Sequence, residues 1–110
     1  VEYIAFRPWV CLELARLTPK GTRIAYLNGD YMPVYCKSMG CTGIDYKLSV
    51  LKKNQSWIRY AHKLGMTVNV WTVNKEEDIR WCIQKGVDYI TTDDPMLVKS
   101  IIGEMCSTEN

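Results

Sequence analysis

Short apolar runs along this chain repeatedly give way to stretches in which apolar residues return every three or four positions, a pattern that predicts strands feeding helices. Residues 1–6 read as a first strand. Pro8 then falls at an early helical position, where its fixed φ and missing N–H cost nothing. The helix that follows carries Trp9, Val10, Cys11, Leu12, Leu14, Ala15 and Leu17, and is so nearly all apolar that it needs cover on more than one side. Pro19 and Gly21 mark a turn, and residues 23–27 form the second strand. Asn28, Gly29 and Asp30 break that strand. The stretch up to Cys41, with Pro33, Gly40 and little periodicity, reads as a loop.

Residues 43–46 make a weak third strand, and residues 47–54 fit either a helix or irregular structure. From 55 to 64, Trp57, Ile58, Ala61 and Leu64 recur at helical intervals, so one side of a helix faces a core. Gly65 ends it as a left-handed cap would. Residues 67–73 alternate, with Val68 and Val70 on one face and Asn69, Trp71 and Val73 on the other; one face meets helices and the other a barrel interior. Asn74 is expected to cap the next helix, Glu77 to complete a capping box, and Glu76 and Asp78 to sit beside the positive helix end. Ile79, Cys82 and Ile83 form its buried stripe, and Lys85 and Gly86 end it. Residues 87–92 are the last strand. Asp93, Asp94 and Pro95 start the final helix, with Asp94 as its cap and Met96, Leu97, Val98, Ile101 and Ile102 on its apolar side. Residues 107–110 read as a polar, frayed tail. Strands alternating with helices in this order favour a right-handed parallel sheet.

Two strand ends carry a specific residue order. Val-Asn-Val-Trp-Thr-Val-Asn at 68–74 with an acidic helix start, then Gly-Val-Asp-Tyr-Ile-Thr-Thr-Asp-Asp-Pro at 86–95, resembles the closing strands of glycerophosphodiester phosphodiesterases. Residues 1–6 look like that family's strand ending in Ser-Phe, with Ala5 in place of Ser, and residues 23–27 look like its next strand. The resemblance implies a partial TIM-type (βα) barrel, about the last five βα units of a (βα)8 barrel, in which residues 1–106 are the carboxyl-terminal portion of the domain and 107–110 a polar tail. A closed barrel of this kind takes about 250 residues, whereas this chain has 110 and begins at Val inside a strand. A segment of a longer polypeptide is therefore expected.

The resemblance further implies hydrolysis of glycerophosphodiesters to an alcohol and glycerol 3-phosphate, with a divalent cation, calcium or magnesium, as cofactor of the parent enzyme. In that family the acid and base are His residues, one in a His-Arg-Gly run closing the first strand, and Glu and Asp metal ligands follow on the second and third strands. None of these motifs is here. The one histidine, His62, sits mid-helix with no Arg-Gly after it and reads as a surface residue. The segment is thus expected to be inactive alone, to hold no metal, and to supply barrel closure and pocket walls. The site residues implied are Trp71, the family's apolar wall against the glycerol moiety, and Phe6, its Ser-Phe aromatic; the bland reading of both is core packing. Asp93, Asp94, Glu76, Glu77 and Asp78 are read as helix-start chemistry rather than metal ligands.

Composition adds limits. With 47% hydrophobic and 24% charged residues the chain is ordinary for one globular domain, and a net charge of +2 is too small for the footprint of a nucleic-acid binder. The most basic stretch, Lys47, Lys52, Lys53, Arg59 and Lys63, reads as a solvated helix face and its approach loop. No apolar run approaches the roughly 18 residues of a membrane span. Cys11 and Cys82 fall on apolar helix faces as small hydrophobes; a Cys36–Cys41 disulfide is an open alternative that leaves the redox compartment undecided. The expected partners are the glycerophosphodiester substrate, the missing amino-terminal part of the barrel, and further copies of the chain joined at unpaired sheet edges. Two other readings stand beside this one: a small α/β binding module with helices on both faces of an open sheet, and a non-catalytic homologue that keeps the fold to bind ligands. The side on which the helices lie decides between barrel and doubly wound sheet.

Overall fold

A computed structural model describes residues 2–108 of the chain. Five strands and six helices run in the order β1 (Glu2–Ala5), α1 (Pro8–Leu17), β2 (Arg23–Tyr26), α2 (Pro33–Ser38), β3 (Gly43–Lys47), α3 (Leu48–Lys53), α4 (Ser56–Lys63), β4 (Thr67–Trp71), α5 (Glu76–Lys85), β5 (Tyr89–Ile90) and α6 (Pro95–Thr108). The strands form one parallel sheet in the sequential order β1-β2-β3-β4-β5.

That order settles the layering. A parallel sheet that never doubles back, joined by right-handed crossovers, keeps its helices on one side. Burial agrees: Ile24, Tyr26, Ile44, Tyr46, Val68 and Val70, all on one face by register, are buried in a single cluster with Cys11 of α1, Cys36 of α2, Leu51 of α3, Ile58 and Ala61 of α4, and Ile79 and Cys82 of α5. The module with helices on both faces is overturned, and the partial barrel stands. The other face is concave. Arg23 at the start of β2 places its guanidinium 5.7 Å from the ring centroid of Tyr89 at the start of β5, although the two strands stand three strand spacings apart, about 14 Å on a flat sheet.

Local chemistry explains most boundaries. Gly65 and Gly86 stop α4 and α5 at φ +77° and +78°, a conformation that glycine reaches without steric cost. Asp94 caps α6 by accepting the Leu97 N–H at 3.1 Å, with Pro95 in the first helical position.

Elsewhere the structure differs from the expectation. Residues 28–41 are not all loop, because Pro33 opens the short α2 and Pro33 and Cys36 are buried; a proline starts this helix as Pro8 starts α1 and Pro95 starts α6. Residues 48–53 are helical. β4 stops at Trp71, so Val73 escapes the two-residue alternation and lies fully buried rather than beside Asn69 and Trp71. β5 shortens to two residues, with single hydrogen bonds from the Asp88 and Thr91 amides to the Val68 and Val70 carbonyls extending its contact with β4. α6 continues through Thr108 instead of fraying at 107; Val1, Glu109 and Asn110 lie outside the described residues. Cys36 and Cys41 are free, and Cys41 lies against Cys11 instead.

Cys11 and Cys82 are buried, as their helix faces implied. Burial pushes the Cys36 and Cys82 thiols up to about 11 from an ordinary 9.0. Because the folded values exceed the unfolded ones, the fold binds these protons more tightly, and the stability they contribute is complete below pH 9.0 and lost as pH rises through about 11. Urea unfolding of the chain is expected to give a flat midpoint across neutral pH and a midpoint that falls between pH 9.0 and 11; a flat profile through that window would show that the thiols are not buried in the folded chain.

Candidate functional site

The carboxyl ends of parallel barrel strands form the face on which such folds place their chemistry, and the register identifies which side chains look toward it. β3 and β4 pair Asp45 with Asn69 and Lys47 with Trp71, so these four share the concave face. Phe6, the first residue beyond β1, falls on the same side by alternation from Ile4, which pairs with Ala25. Phe6 is 59% exposed. Trp71 is half-buried, and its indole N–H donates to the Asp45 carbonyl oxygen at 2.9 Å, which ties the ring to the end of the neighbouring strand. The two aromatics therefore lie on the same concave face, on strands three positions apart, about 14 Å along the sheet.

Between them lie groups that sequence patterning did not single out. Asp45, 6% exposed, is the buried charged residue of the described sheet. Lys47 is exposed at the end of β3. The basic run it belongs to in the sequence reads as a helix face and its approach loop, yet strand register sets Lys47 next to Trp71 at the mouth; alternation from Asp45 is the signal that points there. Asn69 accepts a hydrogen bond from the Thr91 hydroxyl at 3.3 Å.

Asn74 does not cap α5. The cap position is Lys75, without a side-chain bond, so the expected capping box is absent. Asn74 Oδ1 instead accepts the Asp93 N–H at 2.9 Å and the Thr92 hydroxyl at 3.1 Å, while its Nδ2 donates to Asp93 Oδ2 at 2.9 Å. The loops after β4 and β5 are thus stitched together at the mouth, and Asp93 serves that stitch rather than a helix start. Glu76, Glu77 and Asp78 do lie in the first turn of α5, and Asp78 also pairs with Lys52.

His62 lies at the opposite end. Its Nε2 is 2.7 Å from Asp88 Oδ2, an oxygen that also accepts the Val68 N–H at 2.8 Å. This bridge joins the end of α4 to the amino-terminal ends of β4 and β5, away from the mouth. Among the described residues no three His, Cys, Asp or Glu side chains converge into a metal-holding group, so these residues do not by themselves fit a cation. None of the described helices is long and apolar enough to cross a membrane.

A one-sided, sequentially wound (βα) wall with its aromatics at the carboxyl ends of the strands defines part of a TIM-type barrel. The sequence profile of the glycerophosphoryl diester phosphodiesterase family matches residues 1–97, and the chain belongs to that family. It is 40% identical to a glycerophosphodiester phosphodiesterase of Parabacteroides distasonis, superposing with a TM-score of 0.90 over 96% of this chain and 44% of that one. A phosphodiesterase of Oleispira antarctica, solved with the product sn-glycerol-3-phosphate, shares the fold at 18% identity and a TM-score of 0.71, over 91% of this chain and 40% of that one. The dermonecrotic toxin LbSicTox-betaIA1a of Loxosceles boneti is 39% identical over 62 residues, 54% of this chain and 21% of the toxin. The chain spans less than half the length of each of these relatives.

Replacing Asn74 with Ala removes three hydrogen bonds at the mouth. At about 1 kcal/mol for bonds made in partial contact with water, the change is expected to destabilise the chain by about 1–2 kcal/mol and to speed hydrogen exchange of the Asp93 amide about tenfold. Unchanged exchange at Asp93 would mean that the stitch does not form in solution.

Proposed function

We propose that this chain is the carboxyl-terminal portion of a glycerophosphodiester phosphodiesterase barrel, residues 1–106 forming the barrel segment and 107–110 a polar tail. Joined to a complementary half, it would act in the hydrolysis of glycerophosphodiesters to an alcohol and glycerol 3-phosphate. The observation that carries the proposal is the uncovered concave face. Ile4, Phe6 and Tyr89 on it are 47%, 59% and 48% exposed, although their places in a closed barrel are interior. The flanks agree: at the β1 side, Trp9, Leu12 and Leu17 of α1 are 65%, 52% and 68% exposed, and at the β5 side Met96 of α6 is 71% exposed. These are the surfaces that neighbouring βα units cover in a full barrel.

In the assembled enzyme Trp71 and Phe6 would line the pocket as apolar walls for the glycerol carbons, held in place by the indole bond to Asp45. Lys47 beside Trp71 would place positive charge near the phosphoryl oxygens. The acid that protonates the leaving oxygen, the base that activates the attacking group, and the ligands of a divalent cation, calcium or magnesium, would come from the other half of the barrel. His62 is bridged to Asp88 at the far end of the strands and takes neither role.

The chain alone is expected to give no hydrolysis of glycerophosphocholine with calcium or magnesium present, and turnover by the purified polypeptide would overturn the division of labour. In the complete barrel, Trp71→Ala is expected to raise KM for glycerophosphocholine about tenfold, with a smaller change in kcat, the signature of lost binding surface; a KM unchanged by the substitution would remove Trp71 from the pocket. The unpaired edges of β1 and β5, together with the bare apolar face, should also make the isolated chain self-associate. Light scattering is expected to give a mass above that of one chain, and a clean monomer at micromolar concentration would count against the open wall.

A further inference from the structure

α1 and the turn leading into β3 approach each other closely. Gly40 adopts φ +91°, and a Cβ placed on it would stand 2.5 Å from the Cβ of Ala15 and 4.0 Å from the Cys11 carbonyl oxygen, so the turn settles onto α1 because glycine has no side chain. The next residue, Cys41, is thereby set against Cys11: their sulfurs lie 3.1 Å apart, with Cys11 0% and Cys41 4% exposed. Thr42 anchors the segment from the other side. Its N–H donates to the Ile24 carbonyl at 2.8 Å, and its hydroxyl accepts the Ile24 N–H at 2.9 Å. Cys36, the nearer cysteine in sequence, is turned elsewhere: its sulfur is 3.2 Å from the Tyr46 hydroxyl and 3.8 Å from the Tyr31 carbonyl oxygen.

We propose that Cys11 and Cys41 are a disulfide-forming pair, which a low-molecular-weight disulfide such as oxidised glutathione converts into a covalent staple between α1 and the start of β3. The thiolate of one cysteine attacks the small disulfide and releases one glutathione thiol, and the second cysteine thiolate then displaces the other. Two S–H bonds are lost, one S–S bond forms, and the oxidant leaves as two thiols. The sulfurs need to close by only about an ångström. Because both are out of water in the fold, and burial raises both thiols above their ordinary range, exchange proceeds while the chain folds or opens locally rather than on the closed structure. The closed loop from 11 to 41 then removes chain entropy from the unfolded state.

The test uses the unsubstituted 110-residue chain. Reduced, unfolded polypeptide is refolded in a mixture of reduced and oxidised glutathione, remaining thiols are alkylated under denaturing conditions, and peptides are mapped by mass spectrometry without reduction. The expected map joins the Cys11 peptide to the Cys41 peptide, with Cys36, Cys82 and Cys106 alkylated, and the linked chain melts at a higher temperature than the same chain after dithiothreitol. Complete alkylation or a Cys36–Cys41 linkage would overturn the pairing, and a Cys11–Cys41-linked chain that melts no higher than the reduced one would overturn its action as a staple.

Discussion

The pairing of Gly43–Lys47 with Thr67–Trp71 is the constraint on which the rest of the structure depends. It is the longest ladder in the sheet, five residues in unbroken parallel register, and it is made tight by Gly43, where a Cβ would run into the Thr67 side chain and stand 3.0 Å from its carbonyl oxygen. Every other strand is positioned outward from this pair. It also assigns the faces: Ile44, Tyr46, Val68 and Val70 turn under the helices, while Asp45, Lys47, Asn69 and Trp71 turn to the concave side. A slip of one residue would exchange the two sets and bury two charged groups among apolar side chains.

From that pairing follows the one-sided character of the molecule. Since each strand adds next to its predecessor, all the helices and nearly all the core lie on one side, and the concave side carries only what a sheet can shield by its own curvature. Its central positions, Ala25, Gly43 and Asp45, are buried by crowding, while Ile4 and Tyr89 toward its edges are not. The exposed apolar residues of α1 and α6 lie at those same two edges. Exposure at both flanks and at the edges of one face is what part of a barrel wall presents, and the family match agrees with that partial barrel.

The polar residues divide by end of the sheet. At the amino-terminal end, His62 and Asp88 tie α4 to the strands, a structural use of the one histidine. At the carboxyl end, Asn74, Thr92 and Asp93 join the loops that follow β4 and β5. Acidic groups along the second half of the chain are mostly taken up by helix starts and cross-links of this kind, which is why their number in the sequence does not translate into a metal site among the described residues.

Patterns that depend on near neighbours were legible in the sequence. Gly65 and Gly86 as left-handed stops, Asp94 as a cap and the alternation of Val68, Asn69, Val70 and Trp71 all follow from local sterics and from a period set by the backbone, and the strand-end motifs identified the family. What tertiary structure alone decided involves partners distant in the chain. Asn74 prefers the amide and hydroxyl presented by the β5 loop to the adjacent helix end, and Cys41 meets Cys11 rather than the nearer Cys36 because Gly40 lets a turn rest on α1. Lys47 reaches the mouth beside Trp71 only through strand register. A sequence lists donors, acceptors and side-chain volumes in order; which of them meet is fixed by the packing of elements that the order does not place side by side.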